Sequence, residues 1–334
     1  MAISKIPSAG FQDNVKFRNL IINGSMDIAQ RGTSATSLTG SGYNTCDRWR
    51  SQISSAGTWS QSQSTEVPSG QGFATSYKWD CTTADASLAA GDSIIFQQRV
   101  EAQFLQYLKK GTSNAESLTL SFWVRSNKTG TYIANLYDEN NRNISKAYTI
   151  SAADTWEKKT LTFAGDTSGA FGNDNAIGLY VQFFLAAGSN MTSGTLATSW
   201  EAYTAANQAV GQVNLADSTS NEWYITGVQL EAGAASDFEF LPHDVNLARC
   251  LRYFYFDDCD LQLVTGRVSD AFRVGYKQYP VPMRASPTFT VLTSNGELGN
   301  TSVSDTSQYA IRLQQSGSDG SVPRVLTYNF SAEL

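Results

Sequence analysis

Residues 117–125 read Ser-Leu-Thr-Leu-Ser-Phe-Trp-Val-Arg, and this stretch decides the fold class. Apolar side chains stand at every second position, at Leu118, Leu120, Phe122 and Val124. Successive side chains of a β-strand point to opposite faces, so the stretch predicts a strand with one apolar face.

Similar runs lie on both sides of this stretch, with turn residues between them. They cover residues 93–101, 131–137, 156–163, 177–185 and 223–231. The run 177–185 is apolar on both faces, which is typical of a central strand. Repeated period-two patterning with intervening turns predicts an all-β chain built as an antiparallel β-sandwich.

The pattern changes after residue 231, and all seven tryptophans precede residue 224. We expect Asp244 to be the N-cap of a short helix that runs to about Tyr253, and four more strands near residues 272–277, 287–293, 308–314 and 324–330. The predicted organisation is an N-terminal attachment arm (1–17), a jelly-roll β-sandwich (18–240), a linker with a short helix (241–253) and a smaller C-terminal β domain (254–334).

Charge and composition exclude several classes of protein. The net charge of −6 does not suit binding to nucleic-acid phosphates. No apolar run is long enough for a membrane span, and no signal peptide opens the chain, so we expect synthesis in a cytoplasm. The first fifty residues carry six basic and three acidic side chains. This excess arises by chance or marks an arm that docks on an acidic partner.

Catalytic and metal sites have little support in the sequence. The single histidine, His243, follows Leu-Pro and is expected to be a solvated linker residue. The four cysteines fit no zinc spacing and are expected to be reduced thiols. Paired carboxylates for glycoside hydrolysis, such as Asp80 with Asp85 or Asp138 with Glu139, stay open as an alternative. We predict no catalytic residue, no metal and no cofactor.

An ordered set of motifs resembles the tail-fibre-like virion proteins of bacteriophages and prophages. The resemblance covers roughly residues 17–334. Its motifs are Asn19–Met26, Gln30–Thr33, Cys46–Trp49, Gln97–Glu101, Ser121–Arg125, Thr226–Gly233, Leu247–Tyr255, Pro280–Pro287 and Ala332–Leu334.

The jelly roll of such proteins is similar to carbohydrate-binding modules. The resemblance therefore implies a non-enzymatic virion component, a tail fibre or receptor-binding protein that contacts host-surface glycan. It also implies a homotrimer, with the N-terminal arm attached to other tail proteins. The alternatives are a head-decoration or other structural protein without a ligand, a glycan-cleaving tail enzyme, and a secreted adhesin, which the missing signal peptide disfavours.

Aromatic residues are the candidates for sugar contact, because sugar C–H faces stack on aromatic rings. Trp59, Trp79 and Tyr77 lie among Ser, Thr and Gln residues and are the predicted carbohydrate-binding residues. The alternative interpretation makes them core or subunit-interface residues. The net negative charge favours a neutral or cationic glycan.

Overall fold

The computed structural model describes residues 17–258, 261–262, 272–295, 301–316 and 324–334. Their fold is all-β, a jelly-roll sandwich followed by a smaller β-rich region, as the sequence predicts. The sandwich strands are β1 (Ser34–Leu38), β2 (Gly42–Tyr43), β3 (Arg50–Ser54), β4 (Thr58–Ser64), β5 (Ser76–Thr83), β6 (Ser93–Glu101), β7 (Leu118–Ser126), β8 (Gly130–Asp138), β9 (Arg142–Ile150), β10 (Glu157–Phe163), β11 (Ile177–Ala187), β12 (Glu201–Ala202) and β13 (Glu222–Ala232).

These strands form two antiparallel sheets. The six-stranded sheet has the order β1-β4-β5-β13-β7-β10, and the seven-stranded sheet has the order β12-β9-β8-β11-β6-β3-β2. The run predicted to be a central strand is β11, which pairs with β6 on one side and β8 on the other. Its position inside the sheet explains why both of its faces are apolar.

The core lies between the two sheets and is rich in aromatic rings. Leu120, Phe122 and Val124 of β7 are fully buried, so the apolar positions that alternate along residues 117–125 do form the inward face of this strand. Phe96 of β6 stacks on Trp49 with ring centroids 4.7 Å apart. Burial of such rings is a main source of stability in a sandwich of this size.

The turn at Asn23-Gly24 joins the start of the jelly roll to its last strand. Asn23 has a positive φ of 58°, and its amide donates to the backbone oxygens of Ile28 and Asp47. The backbone of Val228 approaches so closely that a Cβ on Gly24 would lie 2.1 Å from its oxygen. Glycine is therefore required at this position.

Helices are few and short. The α-helices are α1 (Ser189–Thr192) and α2 (His243–Leu251), and the 3₁₀ helices are Ala102–Leu108, Ala205–Asn207 and Leu215–Asp217. Helix α2 begins two residues earlier than predicted, since Pro242 rather than Asp244 is its N-cap residue, and it ends at Leu251 instead of Tyr253. His243 is exposed in its first turn, as expected for a solvated residue.

The chain after α2 forms a smaller set of strands. They are β14 (Phe254–Asp257), β15 (Leu261–Gln262), β16 (Phe272–Gln278), β17 (Thr288–Asn295), β18 (Thr301–Thr306), β19 (Ala310–Ser316) and β20 (Arg324–Ser331). Strand β20 is the centre of one sheet and pairs with β14, β15 and β17, whereas β19 lies between β16 and β18 in a second sheet. The exact domain boundaries stay a prediction.

Charged side chains join this region to the jelly roll. Arg48 is buried, stacks 3.4 Å from the ring centroid of Tyr253 and forms an ion pair with Glu333. Arg252 donates two hydrogen bonds of 2.8 Å to the carboxylate of Glu101. A buried charge needs a partner, so these pairs hold the two regions together.

Other features of the described residues agree with the sequence. Cys46, Cys81 and Cys250 are buried free thiols, and Cys259 lies outside the described residues. The predicted arm, residues 1–17, lies outside them as well except for Phe17. Within the described ranges, the helices are all too short or too polar to cross a lipid bilayer.

Candidate functional site

The three residues predicted to bind carbohydrate are core residues. Trp59, Trp79 and Tyr77 have no exposed surface at all. A ring without an exposed face cannot stack on a sugar, so the prediction of an aromatic platform at these positions is wrong. The alternative interpretation, which placed them in the core, describes them correctly.

Strand geometry explains their burial. Tyr77 and Trp79 alternate with the partly exposed Lys78 along β5, so both point toward the opposite sheet. Trp79 packs edge-on against Trp59, with centroids 5.7 Å apart. The polar neighbour that suggested a sugar site is itself buried, because Gln61 accepts a hydrogen bond from the Tyr77 hydroxyl at 2.8 Å.

The outer face of the seven-stranded sheet carries a different set of aromatic residues. Register aligns Arg99 of β6 with Tyr180 of β11, and Tyr180 with Tyr137 of β8. The three side chains therefore lie side by side on one face. Strands are roughly 4.8 Å apart, so this row covers about 10 Å of the sheet.

Contacts within the row are close and continuous. The rings of Tyr137 and Tyr180 have centroids 5.2 Å apart, and the Arg99 guanidinium lies 5.2 Å from the Tyr180 ring. Tyr203, just after β12, packs edge-on against Tyr137 at 5.2 Å and is 37% exposed. We call Tyr137, Tyr180 and Tyr203 the tyrosine row.

The Tyr137 phenol stays protonated at neutral pH. Burial raises the pKa of Tyr137 above its usual value of 10, and Tyr180 and Tyr203 raise it further. The Tyr137 hydroxyl donates to Asn141 Oδ1 at 2.8 Å, and its ring is only half-buried. The row therefore offers apolar ring surface, and Tyr137 offers a neutral hydroxyl group beside it.

A parallel row of amides lies next to the tyrosines. Gln182 pairs in register with Gln97 on one side and Asn135 on the other. The Gln182 amide donates to Gln97 Oε1 at 2.9 Å, while Gln97 Nε2 and Gln182 Oε1 have no protein partner among the described residues. Gln97, Gln182 and Asn135 are all buried, so this amide row lies below the surface beside the tyrosines.

Arg50 of β3 continues the amide row, because it pairs in register with Gln97 of β6. Its side chain is half-buried and donates a long 3.5 Å hydrogen bond to Gln52. Burial lowers the pKa of Arg50, and the charge of Arg99 lowers it further.

The rest of this face is covered by the chain itself. Ile95, Ile133 and Phe184 form the next row, and they pack with Ala209 and Met191 of the segment between β11 and β13. Because that segment seals the apolar row and the amide row is buried as well, the tyrosine row is the open part of this face among the described residues. It forms a shallow surface of tyrosine rings, with the partly buried Arg99 beside Tyr180.

A cavity of about 750 Å³ lies between α2 and the jelly roll, and Arg99 is among its lining residues. Its lining is mostly apolar and includes Phe104, Tyr107 and Val281. Arg252 at this cavity is already bound to Glu101. Asp244 and Arg249 also line it, and Arg249 Nη1 has no hydrogen-bond partner among the described residues.

The paired carboxylates considered for hydrolysis have structural partners. Asp138 is fully buried, pairs with Lys110 at 2.9 Å and accepts the backbone N–H groups of its turn. Glu139 accepts the N–H of Gly172. Asp80 lies near Lys78 at 3.6 Å. No group of three or more metal-ligating side chains occurs among the residues that the structure describes.

The tyrosine row was missed by the sequence interpretation, although part of the pattern was visible. Gln97 and Arg99, Asn135 and Tyr137, and Tyr180 and Gln182 each stand two residues apart within a strand. Polar residues that alternate inside otherwise apolar strands indicate a solvent-facing stripe. Their alignment across strands depends on register, which the sequence alone does not supply.

No protein-family model matches the chain, and the search of curated proteins found no match. Solved structures with a similar fold include the enzymatically active domain of tailspike protein 4 from bacteriophage CBA120. The two chains are 15% identical with a TM-score of 0.33, and the alignment covers 64% of this chain and 21% of the tailspike chain. This chain thus spans about a fifth of the tailspike chain.

Two further structures cover most of their own length. TmCBM61 in complex with β-1,4-galactotriose shows 14% identity and a TM-score of 0.30, over 60% of this chain and 99% of that one. The family 11 carbohydrate-binding module of a Clostridium thermocellum cellulosomal cellulase shows 11% identity and a TM-score of 0.30, over 60% and 99%. At these values the likenesses carry no argument about function.

Proposed function

We propose that the chain binds glycan through the tyrosine row, without catalysing a reaction on it. The observation that carries this proposal is the set of partly exposed tyrosines in mutual contact on the outer face of the sheet. Tyrosine rings supply stacking surface for sugar C–H groups, and their hydroxyl groups bind sugar hydroxyls. Because the site rests on rigid strands, little order would be lost on binding.

The proposed setting is a phage particle, in which the chain is a tail fibre or receptor-binding component contacting host-surface glycan. The ordered motifs from Asn19–Met26 to Ala332–Leu334 support this setting through their resemblance to tail-fibre-like virion proteins. The N-terminal arm, residues 1–17, would attach the chain to other tail proteins.

Deletion of residues 2–16 should leave the jelly roll folded and remove the protein from particles. Normal incorporation of the shortened chain would contradict this anchor.

We further propose a homotrimer with contacts through the C-terminal strands. Tyr276, Leu292, Val303 and Tyr309 are large apolar or aromatic side chains that are 45–65% exposed in this small region. Exposed apolar groups of this kind are often covered by subunit contacts, and homo-oligomers usually close by rotation. Light scattering that gives a 36.3 kDa monomer at micromolar concentration would contradict the trimer.

A glycan array tests the central proposal. The probes are the wild-type chain, Tyr180→Ala and, as a matched control, Tyr107→Ala, which removes an exposed tyrosine from the cavity beside α2. Loss of one stacking ring costs about 1–1.5 kcal/mol, which is roughly a tenfold drop in affinity. We expect this drop for Tyr180→Ala alone. Equal loss in both variants, or none in either, would refute the site.

A further inference from the structure

The cavity between α2 and the jelly roll is distinct from the tyrosine row. Its volume of about 750 Å³ lies within the range of roughly 300–1,000 Å³ that is typical of small-molecule sites. Tyr137, Tyr180 and Tyr203 are not among its lining residues, so a ligand in the cavity would not occupy the proposed glycan site.

The walls of the cavity are mainly apolar. The aliphatic side chains that line it include those of Leu20, Ile22, Val100, Val245, Ala248 and Val281. Two aromatic rings of the lining, Phe104 and Tyr107, are 43% and 48% exposed, so apolar surface continues from the cavity to the outside. Exposed apolar surface beside a cavity is typical of a site that takes an apolar ligand.

Most polar groups of the lining already have partners within the chain. The Gln98 amide both donates to and accepts from the backbone of Ile22. Arg252 is bound to Glu101, and Arg99 donates to the main-chain oxygen of Leu334. These groups are therefore satisfied without a ligand.

Arg249 of α2 is the exception. Its Nη2 donates to the backbone oxygen of Asn19 at 3.2 Å, whereas Nη1 is buried without a hydrogen-bond partner among the described residues. Within the same part of the chain, no carboxylate forms an ion pair with it, although Glu239 is near enough to raise its pKa against the larger, lowering effect of burial. A buried charge without an anionic partner is unfavourable, so an anion bound here would stabilise it.

Asp244 is the other charged lining residue that lacks a side-chain partner among the residues described, and it lies five residues before Arg249. A separation of five residues is about 7.5 Å along a helix. Asp244 is exposed, so water hydrates its carboxylate and screens its repulsion of an anion. The partly buried arginine therefore needs a ligand group more than the exposed aspartate does, which favours an anionic ligand over a cationic one.

We propose that the cavity binds an apolar carboxylate, with the hydrocarbon part of the ligand against the aliphatic walls and the carboxylate at Arg249. The guanidinium group presents a planar fork of N–H donors that matches a carboxylate. Burial of the hydrocarbon supplies affinity, because apolar surface leaves water on both sides of the contact. The carboxylate supplies selectivity over neutral molecules of the same length.

Titration calorimetry of the full chain with decanoate and with decanol tests this site, because the two probes differ only in the head group. We expect decanoate to bind about tenfold more tightly, a preference that falls as salt rises. Arg249→Gln should bind decanoate no better than decanol. Ala248→Phe fills part of the cavity and should weaken binding of both probes. His243→Phe, the matched control, adds the same ring to α2 outside the lining and should change neither.

A second variant, Phe104→Ala, removes an exposed ring of the lining and should also weaken both probes, with melting curves to show that each variant folds. Equal affinity of the wild type for decanoate and decanol overturns the assignment of a carboxylate to Arg249. Binding that Ala248→Phe and Phe104→Ala both leave unchanged lies outside the cavity and overturns the site. Absence of binding by either probe overturns the proposal as a whole, and glycan binding at the tyrosine row is unaffected by any of these results.

Discussion

Replacement of Trp79 by alanine should destabilise the jelly roll strongly. The ring is fully buried and packs against Trp59 and Phe96, with centroids 5.7 and 5.9 Å away. Large-to-small changes of this kind cost about 3–5 kcal/mol, because the cavity does not close completely. For a sandwich of this length, each kcal/mol lowers the melting temperature by about 2–4 °C, so we expect a decrease of roughly 6–20 °C.

Trp156→Ala is the matched control for this experiment. Trp156 is only half-buried, lies just before β10 and packs on Tyr224 with centroids 6.2 Å apart. Its removal should cost about 1 kcal/mol, the scale of one aromatic pair. Differential scanning calorimetry of both variants measures the difference. If Trp79→Ala lowers the melting temperature no more than Trp156→Ala, the assignment of Trp79 to the core is wrong.

Two further predictions concern the joint between regions and the first turn. Burial raises the pKa of Glu101, but hydrogen bonds from Arg252 outweigh it and hold this pKa below its usual 4.5. The ionised Glu101 carboxylate therefore stabilises the fold above pH 4.5. This stabilisation is lost as the pH falls through the pKa that Glu101 has in the folded state. Glu101→Gln should flatten the acid limb of a stability–pH curve, and an unchanged limb would contradict this. Gly24→Ala forces a Cβ against the backbone of Val228 and should lower the free energy of unfolding by about 3 kcal/mol. A Cβ at Gly40 meets open space, so the control Gly40→Ala should change the free energy of unfolding by less than about 0.5 kcal/mol. Equal effects of the two glycine substitutions in urea denaturation would refute the contact.

Strands with strong apolar alternation could be predicted from sequence, and weakly apolar ones could not. The stretch 117–125 differs by one residue from the observed β7, Leu118–Ser126. Strand β4 reads Thr-Trp-Ser-Gln-Ser-Gln-Ser and was not predicted. Its inward positions are Trp59 and Gln61, and a buried glutamine gives no hydrophobic signal. The same polar composition led to the wrong prediction for Trp59.

The candidate site could not be derived from sequence because it is assembled across strands. Tyr137 and Tyr180 are distant in the chain and meet only through the register of β8 with β11. A shift of one residue in that pairing would turn one ring toward the core. Tyr203 joins them from a loop, where local sequence patterns predict no position in space.

The central claim is that glycan binds on the outer face of the seven-stranded sheet, and the most direct measurement is a binding footprint. Hydrogen–deuterium exchange of the full chain, with and without a glycan selected on the array, reports which backbone segments gain protection. The account predicts protection in β8 and β11 around Tyr137 and Tyr180, and none in β4 and β5 around Trp59 and Trp79. Protection confined to β4 and β5, or to the cavity beside α2, would contradict it.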